Sequence, residues 1–451
     1  MPGRPATDST NRRATWVLAL TSMASLMVAL DALVVSTALS TIRLQLHASL
    51  ADLEWTVNAY VLSLAVLLMT GAALGDRFGR KRLFVAGMGL FVIGSAACAL
   101  ASAAFAPARR ARALGIFGAV TGLGVVLGPL VGGAAVQGIS WPWIFWINVP
   151  IGLVGVVLSR RHISESFGPD TALDLRGLAL VTGGAFGIVW ALVRGNSIGW
   201  ASPQTVVAVA AGIAALVAFI AWELRAPAPM LPMRLFRSRP FSVGNATIFL
   251  LWAAALGSVF FMAQFLQIGL HYDALETGLR LMPWGAAIFV AAPMTGSRIS
   301  QVGERPFLVG GLLLGAAGMG WIALVAKPNL AYWQIVAPLV ITGLGMSMTI
   351  PAAQSSVMSH VAPQHIGKAS GTFTTLRQLG GAFGVAIAVA AFAGAGGYQS
   401  AQAFSDGFGP AIAISAGLAL VGAAVAAFAP GMRADSALGP AETAPGVASR
   451  R

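Results

Sequence analysis

The chain has 451 residues, of which 57% are apolar and only 10% charged, with a formal net charge of +13. A soluble domain carries about 25% charged residues, so this composition excludes a water-soluble globular protein and points to a membrane protein. The positive charge does not indicate nucleic acid, because the arginines fall in short loops between apolar runs, as in the cytoplasmic loops of membrane proteins.

The apolar runs are rich in Gly, Ala, Leu and Val and show no alternation of period two, so they are helices and not the strands of a β-barrel. A polar N-terminal tail, 1–13, ends in Arg12-Arg13 and is expected in the cytoplasm. Thirteen transmembrane helices are predicted after it, at about 15–38, 54–75, 83–104, 113–137, 141–159, 175–194, 204–223, 242–264, 278–297, 306–326, 331–353, 370–393 and 408–429. The first is too long for a signal-peptide core and is read as an uncleaved span. The single cysteine, Cys98, lies in an apolar run as a packing residue. The stretch 224–241 carries Arg225, Arg234, Arg237 and Arg239 with four prolines and reads as a connection into a second half. The expected domains are an N-terminal bundle over 14–160, a linker helix pair with its basic loop over 161–240, a C-terminal bundle over 241–430, and a disordered Ala/Pro/Gly/Ser-rich tail over 431–451.

The chain repeats itself. LGDRFGRKRLFVAG at 74–87 aligns with TGSRISQVGERPFLVGG at 295–311, placing Gly79 on Gly303, Arg80 on Glu304 and Gly87 on Gly311. FAPARRARALG at 105–115 aligns with VAPQHIGKASG at 361–371, placing Pro107 on Pro363 and Gly115 on Gly371. Repeats of this kind indicate a transporter of two related halves with its site between them. The first half is shorter between these landmarks by about one helix and a loop.

These residues resemble the major facilitator superfamily, and within it the fourteen-helix drug:proton antiporters of the EmrB/QacA type. LGDRFGRKR at 74–82 is similar to the loop motif between the second and third helices, LDALVVSTALSTI at 30–42 to the first-helix motif, and GPLVGG at 128–133 to the antiporter motif of the fifth helix. WPWIFWINVPIG at 141–152 and LRQLGGAFGVAI at 376–387 also resemble this group. The resemblance implies an all-α major facilitator fold, with two pseudo-symmetric bundles and two linker helices, in the cell (inner) membrane. It implies a monomer that exchanges a small organic molecule for protons, with no cofactor beyond the proton gradient. One family element has no counterpart: the fourth helix, with its Arg and following Gln-Gly, is absent between ALASAAFAP and the next helix.

Asp31 is the only acid deep inside a predicted helix. A carboxylate there is costly unless neutral, paired or in a wet cavity, and burial raises its pKa towards neutrality; the family's coupling Asp falls at the same place. It is read either as the proton carrier or as a structural hydrogen-bonding group. Gly75, Asp76, Arg77, Gly79, Arg80, Lys81 and Arg82 form either a gating loop or a plain basic loop. Gly122, Gly128, Pro129, Gly132 and Gly133 give a smooth helix face suited to close packing. Arg377, about one and a half turns into its helix, either lines the cavity or snorkels to the cytoplasmic surface. Asn58, Asn148, Asn245, Gln264 and Gln267 are further candidate cavity groups. GNSIG at 195–199 matches a nucleophile-elbow pattern but is expected in a loop, with no strand before it and no paired His. His360 and His365 lack metal-ligand partners in the sequence, and no phosphate-binding loop occurs, so neither an enzyme nor an ATP-driven pump is expected.

Counting thirteen spans from an inside N-terminus puts almost every basic loop after residue 105 outside. A fourth helix would put them all inside. Helices from 113 onward are therefore expected to keep the family orientation, with the strain confined to 83–112. Two other readings remain open: a transport-inactive protein on this scaffold, and an exporter or importer of another small molecule.

Overall fold

The computed structural model describes residues 20, 74, 77–79, 81–90, 146, 148–163, 165, 174–227, 229, 231, 233–362 and 365–431. Within them the chain forms helix α1 over 81–90, α2 Asn148–His162, α3 Leu175–Ile198, α4 Pro203–Glu223, a 3-10 turn Met233–Arg237, α5 Arg239–Gln264 running into a π turn Phe265–Gly269, α6 Ala274–Val302, α7 Glu304–Val325, α8 Trp333–Met358, α9 Ile366–Ala395 and α10 Ala401–Ala426. Apart from Leu20 and Leu74, the expected spans 15–38, 54–75 and 113–137 lie outside the described residues. So do the last residues of the expected 83–104 span and the first of the 141–159 span.

Local sequence sets the helix starts. Asp174, Ser202, Asp273 and Ser400 each accept a hydrogen bond from the backbone N–H three residues on, and Pro203 follows Ser202 at the first helical position. Side-chain oxygens at these positions satisfy donors that the first turn leaves open. Seven helices, α3, α4, α5 with its π turn, α7, α8, α9 and α10, are long and apolar enough to cross a bilayer. The predicted span 278–297 exists as the longer helix α6, whose ends carry Glu276, Arg280 and Arg298; it is not among those seven. Several boundaries differ from expectation by a turn, because the apolar run reports only the hydrocarbon-depth part of a helix. Gly195–Ile198 are the last turn of α3 and not loop; Gly199, at φ 92°, ends the helix.

Successive helices joined by short connections run in opposite directions. Arg160 and Arg161, Arg225 to Arg239, Arg298, Arg305 and Lys368 therefore gather at one end of the bundle. This is the grouping that the positive-inside rule associates with the cytoplasmic side of a membrane.

The C-terminal half packs α5 on α9 and α10, α7 on α8 and α10, and α6 on α8, while α3 pairs with α4 and docks on α9. Lipid is as apolar as the side chains, so close packing holds these helices together. At the α5–α9 crossing, Cβ atoms on Gly380 and Gly384 would overlap the carbonyl oxygens of Phe249 and Ala253, so only glycine permits this approach. Towards the outer end, Phe261 stacks on Phe392 at 4.7 Å and Phe265 on Phe408 at 4.2 Å between ring centroids. Arg280 sits over the Tyr272 ring at 3.6 Å, and the Tyr332 hydroxyl donates to the Arg280 carbonyl at 2.9 Å, tying α6 to the start of α8.

Candidate functional site

Two places carry polar groups that packing alone does not require. The first is the loop motif. Arg77 and Phe78 are helical, and Gly79 then takes φ 105°, a conformation open to glycine but strained for other residues. The Gly79 carbonyl accepts from Leu83 N–H at 3.0 Å and starts α1. Glu165, just beyond α2, accepts the Lys81 N–H at 2.9 Å and lies 3.4 Å from Arg82 Nε. A carboxylate here faces the positive end of the helix and meets its open donors. The Arg82 side chain is 76% exposed, so the ion pair contributes little beyond this cap. The expected carboxylate, Asp76, lies outside the described residues together with Gly75 and Arg80. Glu165 was not legible in the sequence, because nothing in the local spacing joins it to Lys81 across 84 residues.

The aligned position in the other half has the same construction. Gly303 takes φ 84° and caps α7. Glu304, the first residue of that helix, accepts a hydrogen bond from Ser355 Oγ at 2.9 Å, linking α7 to α8.

The second place is the middle of α5 and α9. Arg377 is not one and a half turns into its helix but about three, since α9 begins at Ile366. Its guanidinium carbon lies 5.1 Å from the Trp252 ring centroid on α5, a cation–π contact that holds the charge at depth and not at the surface. Arg377 Nε and Trp252 Nε1 are both buried donors without a hydrogen-bond partner among the described residues. An intramembrane charge with open donors beside an aromatic ring is suited to an oxygen-bearing or aromatic solute.

The remaining candidates separate. Gln264 donates from Nε2 to the Phe260 carbonyl at 3.0 Å and accepts from the Tyr398 hydroxyl, so its amide ties α5 to the connection before α10. Gln267 lies half-buried on the π turn. Asn245 is buried and donates to the Phe241 carbonyl at 2.8 Å, with its own oxygen unpartnered among the described residues. Asn148 opens α2; its side chain lies outside the described residues, as do Asp31, Asn58, Gly122, Gly128, Pro129, Gly132 and Gly133. Among the described residues no group of three His, Cys, Asp or Glu is placed to hold a metal ion.

A family model described as Major Facilitator Superfamily matches residues 21–103 and 94–385. The chain belongs to the Major Facilitator Superfamily. The two matched segments of this superfamily member meet at 94–103, where the internal repeat places the shortfall. The tetracenomycin C resistance and export protein of Streptomyces glaucescens is 32% identical over 393 residues, covering 80% of this chain and 73% of that protein. The probable actinorhodin transporter of Streptomyces coelicolor is 32% identical over 424 residues, covering 85% and 73%. The methylenomycin A resistance protein of Bacillus subtilis is 30% identical over 414 residues, covering 84% and 88%. Each alignment is longer than the part of this chain that it covers by roughly a helix and its loop. Among solved structures, a POT family transporter bound to a thioalcohol-conjugated peptide superimposes with a TM-score of 0.61 at 14% identity, over 90% of this chain and 94% of that one. The human organic anion transporter MFSD10 does so with a TM-score of 0.56 at 15% identity, over 94% and 100%. At such identities the likeness concerns the fold alone.

Proposed function

We propose that this chain is a multidrug-type exporter that moves amphipathic or cationic organic compounds outward by alternating access, in exchange for protons carried on Asp31. The observation that carries this reading is identity of 30–32%, over at least 80% of the chain, to proteins named for antibiotic resistance or export. Arg377 against Trp252 supports it, as a polar and aromatic contact pair inside a chain whose two halves share the Gly79 and Gly303 construction. An apolar and aromatic binding site would account for breadth of substrate, because contacts of this kind re-pack around different solutes.

Everted membrane vesicles containing the full chain test the proposal. A dye such as ethidium accumulates when a proton gradient is imposed, and an ionophore that collapses the gradient releases it. Accumulation that ignores the ionophore would refute proton coupling. No accumulation of any of a panel of aromatic antibiotics and dyes would refute drug export.

One observation favours a second reading, a transport-inactive protein of the same family. The first half is short by about a helix, and the family's fourth-helix Arg has no counterpart. An inactive wild type that gains efflux when a helix is inserted after residue 104 would establish it.

A further inference from the structure

A cavity of about 690 Å³ separates the linker pair α3–α4 from the C-terminal half, on the other side of α9 from Arg377. Ile188, Leu216 and Ile220 form one wall and Phe249 and Leu379 the other, while Met233 and Phe236 of the 3-10 turn close its cytoplasmic end. Ile220 lines the cavity yet is 49% exposed, so the cavity opens on the lipid-facing side of α4, where Val206, Val207, Ile213 and Val217 are also exposed. Ile188 lies about 20 Å along α3 from its cytoplasmic start, at 1.5 Å per residue. The slot therefore runs through about the inner two-thirds of a hydrocarbon core about 30 Å thick.

Its lining among the described residues is apolar apart from Thr375, whose hydroxyl is itself buried. At its cytoplasmic end stand Arg234 and Arg237, on the turn that carries Met233 and Phe236, and Arg239 at the start of α5. All three are exposed, and none makes an ion pair with a described carboxylate.

We propose that this is a binding site for an anionic glycerophospholipid of the cytoplasmic leaflet. The phosphate lies against Arg234, Arg237 and Arg239, and an acyl chain fills the slot between the linker pair and α5–α9. Basic groups above an apolar slot at the inner leaflet fit this chemistry. A zwitterionic lipid fills the slot but gains less from the arginines, and a cationic solute is repelled by them. The lipid wedges the linker helices against the C-terminal half, whatever the transported compound is.

Native mass spectrometry of the purified full chain in detergent, titrated with phosphatidylglycerol or phosphatidylcholine of the same chains, tests this. The wild type is expected to retain phosphatidylglycerol about tenfold more tightly. R234Q/R237Q/R239Q is expected to bring it to the level of phosphatidylcholine, and I220W, at the exposed mouth, to weaken both lipids. Three results would each overturn the proposal: equal retention of both lipids by the wild type, an unchanged preference in the arginine variant, or competitive displacement of the lipid by ethidium, which would make the slot part of the solute path. Should I220W not yield monodisperse protein, the arginine variant, altered only at exposed side chains, decides alone.

Discussion

Gly79 and Gly303 hold the same place in the two halves of the transporter: each has a positive φ, 105° and 84°, and each is the residue from which the following helix starts. The internal repeat aligned them from sequence, and the backbone gives the reason both are glycine. Their surroundings differ. In the second half the first-turn carboxylate is Glu304, in the same helix; in the first half it is Glu165, from another part of the chain. A Cβ on Gly79 would lie 2.5 Å from Glu165 Oε1, within a flexible side chain.

Gly303→Ala is expected to cost the strain of a disfavoured backbone region, about 1–3 kcal/mol. Gly79→Ala should cost that and displace the Glu165 cap as well. The two effects separate in a double-mutant cycle: Gly79→Ala should lose less in a Glu165→Ala background than in the wild type. Thermal unfolding of the purified protein in detergent reads the difference. Equal losses in both backgrounds would show that Glu165 does not constrain the turn.

What was legible in the sequence follows from what membranes demand. Apolar runs located α3, α4, α5 and α7 to α10, because a helix is the cheapest way to satisfy backbone groups in hydrocarbon. The runs did not mark where helices extend into the interface. Hence α9 begins at Ile366, four residues before the predicted start. Contacts between distant segments left no local signal: Tyr398 reaches Gln264 across 134 residues, and Glu165 reaches Lys81 across 84. Exposure also misleads in lipid, since an outward Val on α4 is solvated by the bilayer and looks in sequence like a core residue.

The glycines of LRQLGGAFGVAI have a packing role that a motif match alone does not reveal. Gly384→Ala places a methyl against the Ala253 carbonyl, a backbone group that cannot turn away, so α5 and α9 must separate. Overpacking of this kind costs about 1–3 kcal/mol. Gly417→Ala in α10 meets nothing within 4 Å and serves as the control; it should be neutral or slightly stabilising, as Ala favours helix. Detergent melting curves of the two variants should diverge. If they coincide, the close crossing does not limit stability.

Arg377 distinguishes a structural charge from a functional one. Among the described residues it makes no hydrogen bond, so removing the side chain leaves none of them unpaired. Arg377→Leu is therefore expected to leave thermal stability unchanged or raise it, since an intramembrane charge is itself costly. Solute efflux should fall by at least about tenfold, and Arg377→Lys should restore little of it, because an ammonium lacks the planar set of donors that the guanidinium holds beside Trp252. A less stable Arg377→Leu protein with intact efflux would assign the residue to packing.

Proton coupling makes a separable demand on Asp31. If the carboxylate carries the proton, Asp31→Asn fixes that position in a permanently neutral form. Uphill export driven by a proton gradient should then vanish. Exchange of labelled for unlabelled solute across the membrane, which needs no net proton movement, should persist. Reconstituted vesicles loaded with unlabelled compound measure both in one preparation. If both modes fail while the protein remains folded and inserted, Asp31 contacts the solute or holds the helices and does not carry the proton. If both survive, coupling resides on another group. Only loss of the gradient-driven mode, with exchange retained, fits a residue whose role is to take up and release a proton.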